Sequence, residues 1–138
     1  YAPYWSKRCV DIMKHTPSGC SAYLNPYPWK PTKEDGTETS YYRSAWCRAD
    51  WDKPSGAILM KSAGMGGMIS CHPGRLLEDG TYSDARAFTP KELMLLTGLP
   101  DNYKVPTFAL NDDELIRDVI GECVCPLMER KIMELIPR

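Results

Sequence analysis

Capping residues precede apolar positions at helical spacing in the second half of the chain. Thr89 can cap a helix, Pro90 suits its first position, and Glu92 completes a Thr-x-x-Glu capping box. The apolar residues 93–96 form its body, and Gly98 suits a left-handed position at its end. The pattern therefore predicts a short helix that must dock on another element.

Two further helices are predicted downstream. The polar segment 111–114 is a capping signal with negative charge at a helix N-terminus, and Pro126 opens the last helix. Their apolar stripes favour packing in a core over a cofactor-binding box. The stripes are Leu115, Ile116, Val119 and Ile120 in the first, and Met128, Ile132, Leu135 and Ile136 in the second.

The first half reads as extended and loop-rich. Three prolines within residues 25–31 exclude a helix, and residues 41–51 and 57–61 are strand-like. Arg43 and Arg48 lie between aromatic residues, a pattern that fits a DNA-facing surface. Aromatic residues in a small loop-rich domain more often fill its core, so core packing is the favoured interpretation.

Length and the first residue bound the class of protein. The 138 residues suffice for one domain with a modest core, and the chain begins with Tyr1, which predicts a fragment or a processed product. No run of about 18 apolar residues is present to span a membrane, and no signal-peptide pattern opens the chain. We therefore expect no membrane association.

Charge is unevenly distributed, although the net charge is only −1. Residues 1–63 carry nine Lys/Arg against six Asp/Glu, and residues 64–138 carry eight against twelve. A DNA contact is therefore expected mostly in the first half and in the glycine-rich loop at 64–68. A mixed, solvated surface is the alternative.

Six cysteines allow three interpretations. Reduced, buried thiols of a cytosolic protein are favoured, because the cysteine density lies below that of disulfide scaffolds. A zinc site made of Cys71, His72, Cys123 and Cys125 is the sharper alternative, but Cys-x-x-Cys spacing is missing. A disulfide-rich secreted domain is the third.

Four motifs in order resemble DNA cytosine-5 methyltransferases over residues 46–136. The Trp-Asp-x-Pro at 51–54 and the His-Pro at 72–73 resemble those that often precede that family's Arg-x-Leu-Thr-x-x-Glu helix. That helix ends in Gln-x-Phe-Pro-x-x-Tyr, and an Ile-Gly-Asn-x-Val-x-Pro motif closes the family's chains. The matching residues are Arg86, Thr89, Glu92, Pro100, Tyr103, Ile120, Gly121, Val124 and Pro126.

The resemblance implies a fold and a division into domains. It implies an α+β chain, in which a small loop-rich mixed domain with short strands precedes C-terminal helices that pack on a missing Rossmann-like catalytic domain. Residues 1–103 would form the target-recognition domain, which binds DNA. Residues 104–138 would form the helical segment that returns to the catalytic domain.

The resemblance also implies a reaction that this chain cannot perform alone. The family flips a cytosine out of duplex DNA and methylates it with S-adenosylmethionine. Its nucleophilic Pro-Cys and its Glu-Asn-Val are absent here, so no catalytic residue is assigned. The glycines at 64–68 leave no room for a phosphate-binding helix before Cys71. We expect the cofactor to serve the whole enzyme and not to bind this chain alone.

The candidate site residues fall into three groups. For DNA they are Arg43, Arg48, Lys61, Ser62, Gly64, Gly66, Gly67 and Arg75. For the cofactor they are Gly121, Glu122 and Val124, with Glu122 standing where the family has Asn and bringing a carboxylate that would repel the cofactor's own. Arg86, Thr89 and Glu92 are assigned to structure, His72 to a turn, and no residue to a metal.

The implied partners are double-stranded DNA and a catalytic domain or subunit that carries the nucleophilic Cys. The implied location is the cytoplasm for a bacterial or phage-encoded protein, or the nucleus for a eukaryotic one. A stand-alone DNA-binding module, or one subunit of a split methyltransferase, is the alternative function.

Overall fold

The computed structural model describes residues 5–33, 35–39, 46–58, 71–100, 102–109 and 112–136. These residues include four α-helices and two short 3-10 turns. The turns are Ala22–Leu24 and Thr107–Ala109. The helices are α1 (Lys7–Lys14), α2 (Pro90–Leu96), α3 (Asp113–Glu122) and α4 (Pro126–Leu135). Within the described part, no helix is long and apolar enough to cross a membrane.

Helix α1 was not anticipated from the sequence. The Ser6 hydroxyl caps it by accepting from the Cys9 amide, and Ile12 and Met13 are buried. These two side chains form one core cluster with Ala22 and Cys71, against which Trp5, Trp46 and Ala85 pack. Trp46 therefore has the core role that was favoured for the aromatic residues.

Helices α2 and α3 pack on each other around a second cluster. Leu93 and Met94 of α2 are buried with Ile120 of α3, together with Ala49 and Phe88. The buried Arg117 of α3 strengthens this contact, since its Nη1 donates to the Phe88 carbonyl at 2.7 Å. The predicted cap of α3 is also present, because the Asp112 carboxylate accepts from the Leu115 amide.

Helix α4 begins at Pro126, as predicted, but none of its residues is buried. Its apolar stripe has no core to pack in among the described residues, so the expectation that the stripe is buried stays a prediction. Gly98, just beyond α2, has the expected left-handed backbone, with φ of +75°, and a Cβ there would lie 3.0 Å from the Leu127 side chain. The start of α4 is thus held close to the end of α2.

The described residues pair only through isolated bridges. Arg48 and Cys71 pair in parallel, and Cys71 pairs antiparallel with Ala87. The strands predicted at 41–51 and 57–61 lie partly outside the described residues, and the described parts of these segments do not form a continuous strand. The α+β class therefore stays a prediction.

Two hairpin turns have the same sequence and structure. Each contains Asp-Gly-Thr, at 35–37 and at 79–81, and the Asp carboxylate accepts from both the amide and the hydroxyl of the Thr. The bridges that close them are Thr32 with Glu38 and Leu76 with Tyr82. The second turn lies immediately after Arg75 and fixes the direction of the chain there.

Candidate nucleic-acid interface

A charged clamp starts helix α2. The capping box is present, with the Thr89 hydroxyl accepting from the Glu92 amide and the Glu92 carboxylate accepting from the Thr89 amide. The Arg86 guanidinium donates to both oxygens of that carboxylate, at 2.8 and 2.9 Å. These bonds, those from Arg86 first, lower the pKa of Glu92 to about 2. All three residues lie where a structural role needs them.

Arg48 lies in the interior and not on a DNA-facing surface. Its side chain is 1% exposed. Nε and Nη2 donate to the Met13 carbonyl at 3.0 and 2.8 Å, and Nη1 donates to the His72 carbonyl at 2.7 Å. Longer bonds reach the carbonyls of Tyr82 and Asp84. Because the guanidinium is surrounded by backbone acceptors, the expectation that Arg48 contacts DNA is corrected: it joins α1 to the segment 72–84.

Gly74 lies between the Arg48 guanidinium and the backbone at Ser83. Its φ is +68°, and a Cβ there would lie 2.4 Å from the Ser83 carbonyl oxygen and 2.5 Å from Nη1 of Arg48. The Gly74 amide donates to Nδ1 of His72 at 3.1 Å, and Nε1 of Trp51 donates to the Gly74 carbonyl at 2.7 Å. Only glycine fits this position without a shift of the backbone.

Arg75 follows directly and is exposed. Its backbone is fixed, because its amide donates to the Ser83 hydroxyl at 3.0 Å and its carbonyl accepts from the Ser83 amide at 2.9 Å. Its guanidinium makes no hydrogen bond or ion pair with any residue in the described ranges. A cation on a hydrogen-bonded backbone, with donors that the described residues leave available, is suited to bind phosphate or a guanine edge.

A cavity of about 340 Å³ is lined in part by Trp51, His72, Glu92 and Leu95. The Trp51 and His72 rings lie nearly at right angles, with centroids 5.5 Å apart, and His72 in turn contacts Phe88. Burial, helped by the nearby Arg86, lowers the pKa of His72. The imidazole is therefore neutral near pH 7, as its acceptance of the Gly74 amide requires.

The zinc and disulfide alternatives gain no support. Cys71, His72, Cys123 and Cys125 all lie in the described ranges, and no group of three metal-binding side chains is gathered there. None of the six cysteines is part of a disulfide. Burial raises the pKa of the Cys71 thiol to about 11, so this cysteine is an inert core residue.

The candidate cofactor residues lie at the junction of α3 and α4. Gly121 is half-buried, whereas Glu122 and Val124 are exposed. A second cavity, of about 130 Å³, lies between α2 and α3, but its lining is apolar and includes none of these three residues. The larger cavity beside Trp51 and His72 does not include them either, so the cofactor assignment of Gly121, Glu122 and Val124 stays a prediction.

Several candidates lie outside the described residues. They are Arg43, Lys61, Ser62, Gly64, Gly66 and Gly67. The described residues that flank the glycine-rich segment in sequence pack in the interior. Ile58 packs against the α2–α3 cluster, and Cys71 is fully buried. The sequence assigns no site role to Trp51 or Gly74, although Trp51 is the first residue of the Trp-Asp-x-Pro motif.

Comparison with known proteins identifies the family. The chain belongs to the C-5 cytosine-specific DNA methylases, whose family model matches residues 9–138. The resemblance seen over residues 46–136 is thus confirmed at the level of the family and extends to α1.

A curated relative is similar over most of the chain. It is the Type II methyltransferase M1.HgaI of Avibacterium volantium, 44% identical over 126 residues, which cover 89% of this chain and 34% of that protein. The chain therefore spans about one-third of the length of the relative. No solved structure matches this chain.

Proposed function

We propose that the chain is the C-terminal, DNA-recognising part of a DNA cytosine-5 methyltransferase that uses S-adenosylmethionine to methylate cytosine in duplex DNA. Membership of the family and the similarity to a Type II methyltransferase support this reaction for the whole protein. The observation that carries the recognition role is Arg75, whose guanidinium bonds to none of the described residues, on a backbone that four hydrogen bonds fix around Gly74 and Ser83.

The proposed DNA surface combines Arg75 with candidates outside the described residues. Lys61 would hold phosphate, the glycines at 64–67 would let the backbone approach the duplex closely, and Ser62 and Arg43 would add contacts. Arg48 is not part of this surface. Residues 1–103 are proposed as the target-recognition domain, and both Arg75 and the glycine-rich segment belong to it.

The C-terminal segment, residues 104–138, is proposed to return to a Rossmann-like catalytic domain supplied by the rest of the protein. Support comes from α4, whose apolar side chains find no cover within the described residues. Those exposed by half or more are Leu127, Met128, Ile132, Met133 and Leu135, and Ile136 directly after the helix is exposed in the same way. An apolar face of this kind is unfavourable in water, and its burial against another domain would stabilise both.

No step of methyl transfer is assigned to this chain. Pro-Cys and Glu-Asn-Val are missing from the sequence. We expect no incorporation of labelled methyl groups into mixed duplex DNA by the chain alone. Incorporation above a protein-free control would contradict the proposed division of the enzyme.

The DNA surface is tested by fluorescence anisotropy with a mixed-sequence duplex over a salt series. Loss of one phosphate contact should flatten the log–log salt slope by about 0.9, as expected for Lys61→Ala on all sequences. If Arg75 reads a base, Arg75→Ala should cost about 1–3 kcal/mol on the preferred site and less elsewhere. Arg130→Ala is the matched control, since Arg130 is an exposed arginine of α4 paired with Glu134.

The opposite pattern would refute the surface. If Arg130→Ala weakens binding while Lys61→Ala and Arg75→Ala do not, DNA lies against α4 and the proposed face is wrong. Strong DNA binding by the chain, unchanged when the catalytic part of the relative is added, would favour a stand-alone DNA-binding module.

A further inference from the structure

Two side chains hold the peptide units on either side of Gly74. His72 Nδ1 accepts the Gly74 N–H at 3.1 Å, and Trp51 Nε1 donates to the Gly74 carbonyl at 2.7 Å. We propose that Trp51 and His72 are positioning residues that orient Arg75 for DNA contact, an inference that rests on the proposed function. Neither is proposed to touch the DNA.

The geometry leaves Arg75 little backbone freedom. The peptide that joins Gly74 to Arg75 is bonded at its carbonyl by Trp51 and at its N–H by the Ser83 hydroxyl. On the other side, the Arg48 guanidinium fills the space in which a Cβ of Gly74 would lie. A cation on an ordered backbone loses less conformational entropy when it binds, so removing one of these bonds should weaken binding without any loss of charge.

Trp51 is suited to this task because it contributes little to the core. Trp51 is 57% exposed, and its indole lies nearly at right angles to the His72 ring and donates to the Gly74 carbonyl. Replacement by Phe keeps a ring in that place and removes the donor. A purely structural role in the core would predict loss of stability instead of loss of DNA affinity.

His72 makes the arrangement sensitive to pH. The ring accepts at Nδ1, so its proton lies on Nε2, which is 3.8 Å from the Glu92 carboxylate. The other charged groups that face the ring are Asp84, with a carboxylate oxygen 4.0 Å from Nδ1, and the guanidinium groups of Arg86 and Arg48. Protonation of Nδ1 would place its N–H opposite the N–H of Gly74. Because both groups are donors, the hydrogen bond from the Gly74 amide would be lost.

The chain offers matched variants for a test. Trp51→Phe removes the donor, and Trp29→Phe is its control, because Trp29 stacks on His15 at a centroid distance of 3.8 Å in the N-terminal part. His72→Ala removes the acceptor. His72→Asn places an amide oxygen near the position of Nδ1 and cannot be protonated, so it should restore the bond.

The first measurement needs no DNA. Nitrogen-15 NMR should show an unprotonated Nδ1 on His72 at pH 7, and hydrogen exchange of the Gly74 amide should quicken in His72→Ala and remain slow in His72→Asn. A Gly74 amide that exchanges equally fast in wild type and His72→Ala would overturn the inference whatever the DNA result.

The second measurement is anisotropy with a 20-base-pair mixed-sequence duplex. We expect Trp51→Phe and His72→Ala to weaken binding about two- to tenfold, the range expected for one hydrogen bond. Trp29→Phe and His72→Asn should bind like wild type. In an Arg75→Ala background, Trp51→Phe should have no further effect, because the two residues act through one contact.

The outcomes separate the two proposals. If Arg75→Ala weakens binding and Trp51→Phe does not, Arg75 is a DNA contact and the positioning role is wrong. If Trp51→Phe weakens binding equally in the presence and absence of Arg75, Trp51 itself contacts DNA and the inference is overturned. If neither Arg75→Ala nor Trp51→Phe changes affinity, or if the chain does not bind the duplex, the proposed DNA face fails and the inference fails with it.

Discussion

Replacing Glu92 by Gln tests whether the Arg86–Glu92 clamp holds α2 in place. The substitution keeps the size of the side chain and an oxygen for the Thr89 amide, but it removes the charge that faces Arg86. Two donor–acceptor distances of 2.8 and 2.9 Å make this a bidentate pair. The expected loss can be derived from the pKa of the carboxylate.

The pKa of Glu92 falls from 4.5 to about 2, which at about 1.36 kcal/mol per pKa unit gives an upper bound of about 3.4 kcal/mol. Water screens the pair, since the side chains of Arg86 and Glu92 are 25% and 30% exposed. We therefore expect Glu92→Gln to destabilise the fold at pH 7 by about 1–2 kcal/mol.

The dependence on pH has a definite sign. A carboxylate with a lowered pKa stabilises the fold fully above its ordinary pKa, and this contribution disappears as the pH falls from about 4.5 towards 2. The difference between wild type and Glu92→Gln should shrink over the same range. Urea unfolding followed by tryptophan fluorescence, at several values between pH 7 and pH 2.5, would measure it.

Glu134→Gln is the control for this experiment. Glu134 pairs with Arg130 on α4, where the two side chains are 46% and 77% exposed, so its replacement should cost less than about 0.5 kcal/mol. Equal effects of the two substitutions at pH 7, or a Glu92→Gln effect that does not diminish in acid, would refute the reasoning.

Three further substitutions test the framework by the same unfolding assay. Thr89→Ala should cost about 0.5–2 kcal/mol by removing the cap, and an unchanged midpoint would show that α2 does not depend on it. Gly74→Ala should destabilise much more than Gly80→Ala, because both positions have positive φ but only a Cβ at Gly74 meets other atoms. Arg48→Lys should cost at least about 3 kcal/mol, since it keeps the charge and leaves buried carbonyls without donors; a cost under 1 kcal/mol would contradict the central role of the guanidinium.

Local signals predicted the helices of the second half well. The boundaries of α2 follow from a capping box and a following glycine, and α3 and α4 begin at Asp113 and Pro126 in agreement with the polar signal at 111–114 and the proline. At the starts of α2 and α3, side chains close in sequence satisfy backbone groups that a helix end leaves unpaired, whereas α4 has no side-chain cap and begins at a proline, which has no N–H to leave unpaired. Such interactions need no tertiary structure and are therefore visible in the sequence.

Helix α1 was missed because its signals are weak. Only Ser6 marks its start, and the apolar face consists of a few residues at helical spacing before a segment rich in aromatic residues and proline. The tight backbone at Gly74 was missed for another reason. The carbonyl of Ser83 and the guanidinium of Arg48 come from distant parts of the chain, so no local pattern reports their approach.

The error over Arg48 shows how an arginine's role depends on its partners. An arginine among aromatic residues has the same local sequence whether its guanidinium faces a DNA groove or a set of backbone carbonyls. Among the described residues, Arg8 contacts Thr32, and Arg48, Arg86, Arg117 and Arg130 all donate to other groups of the chain. Arg75 alone in these ranges has no such partner. A count of arginines therefore overstates how many of them are available to DNA, and the pattern of internal acceptors leaves Arg75 as the arginine candidate among the described residues.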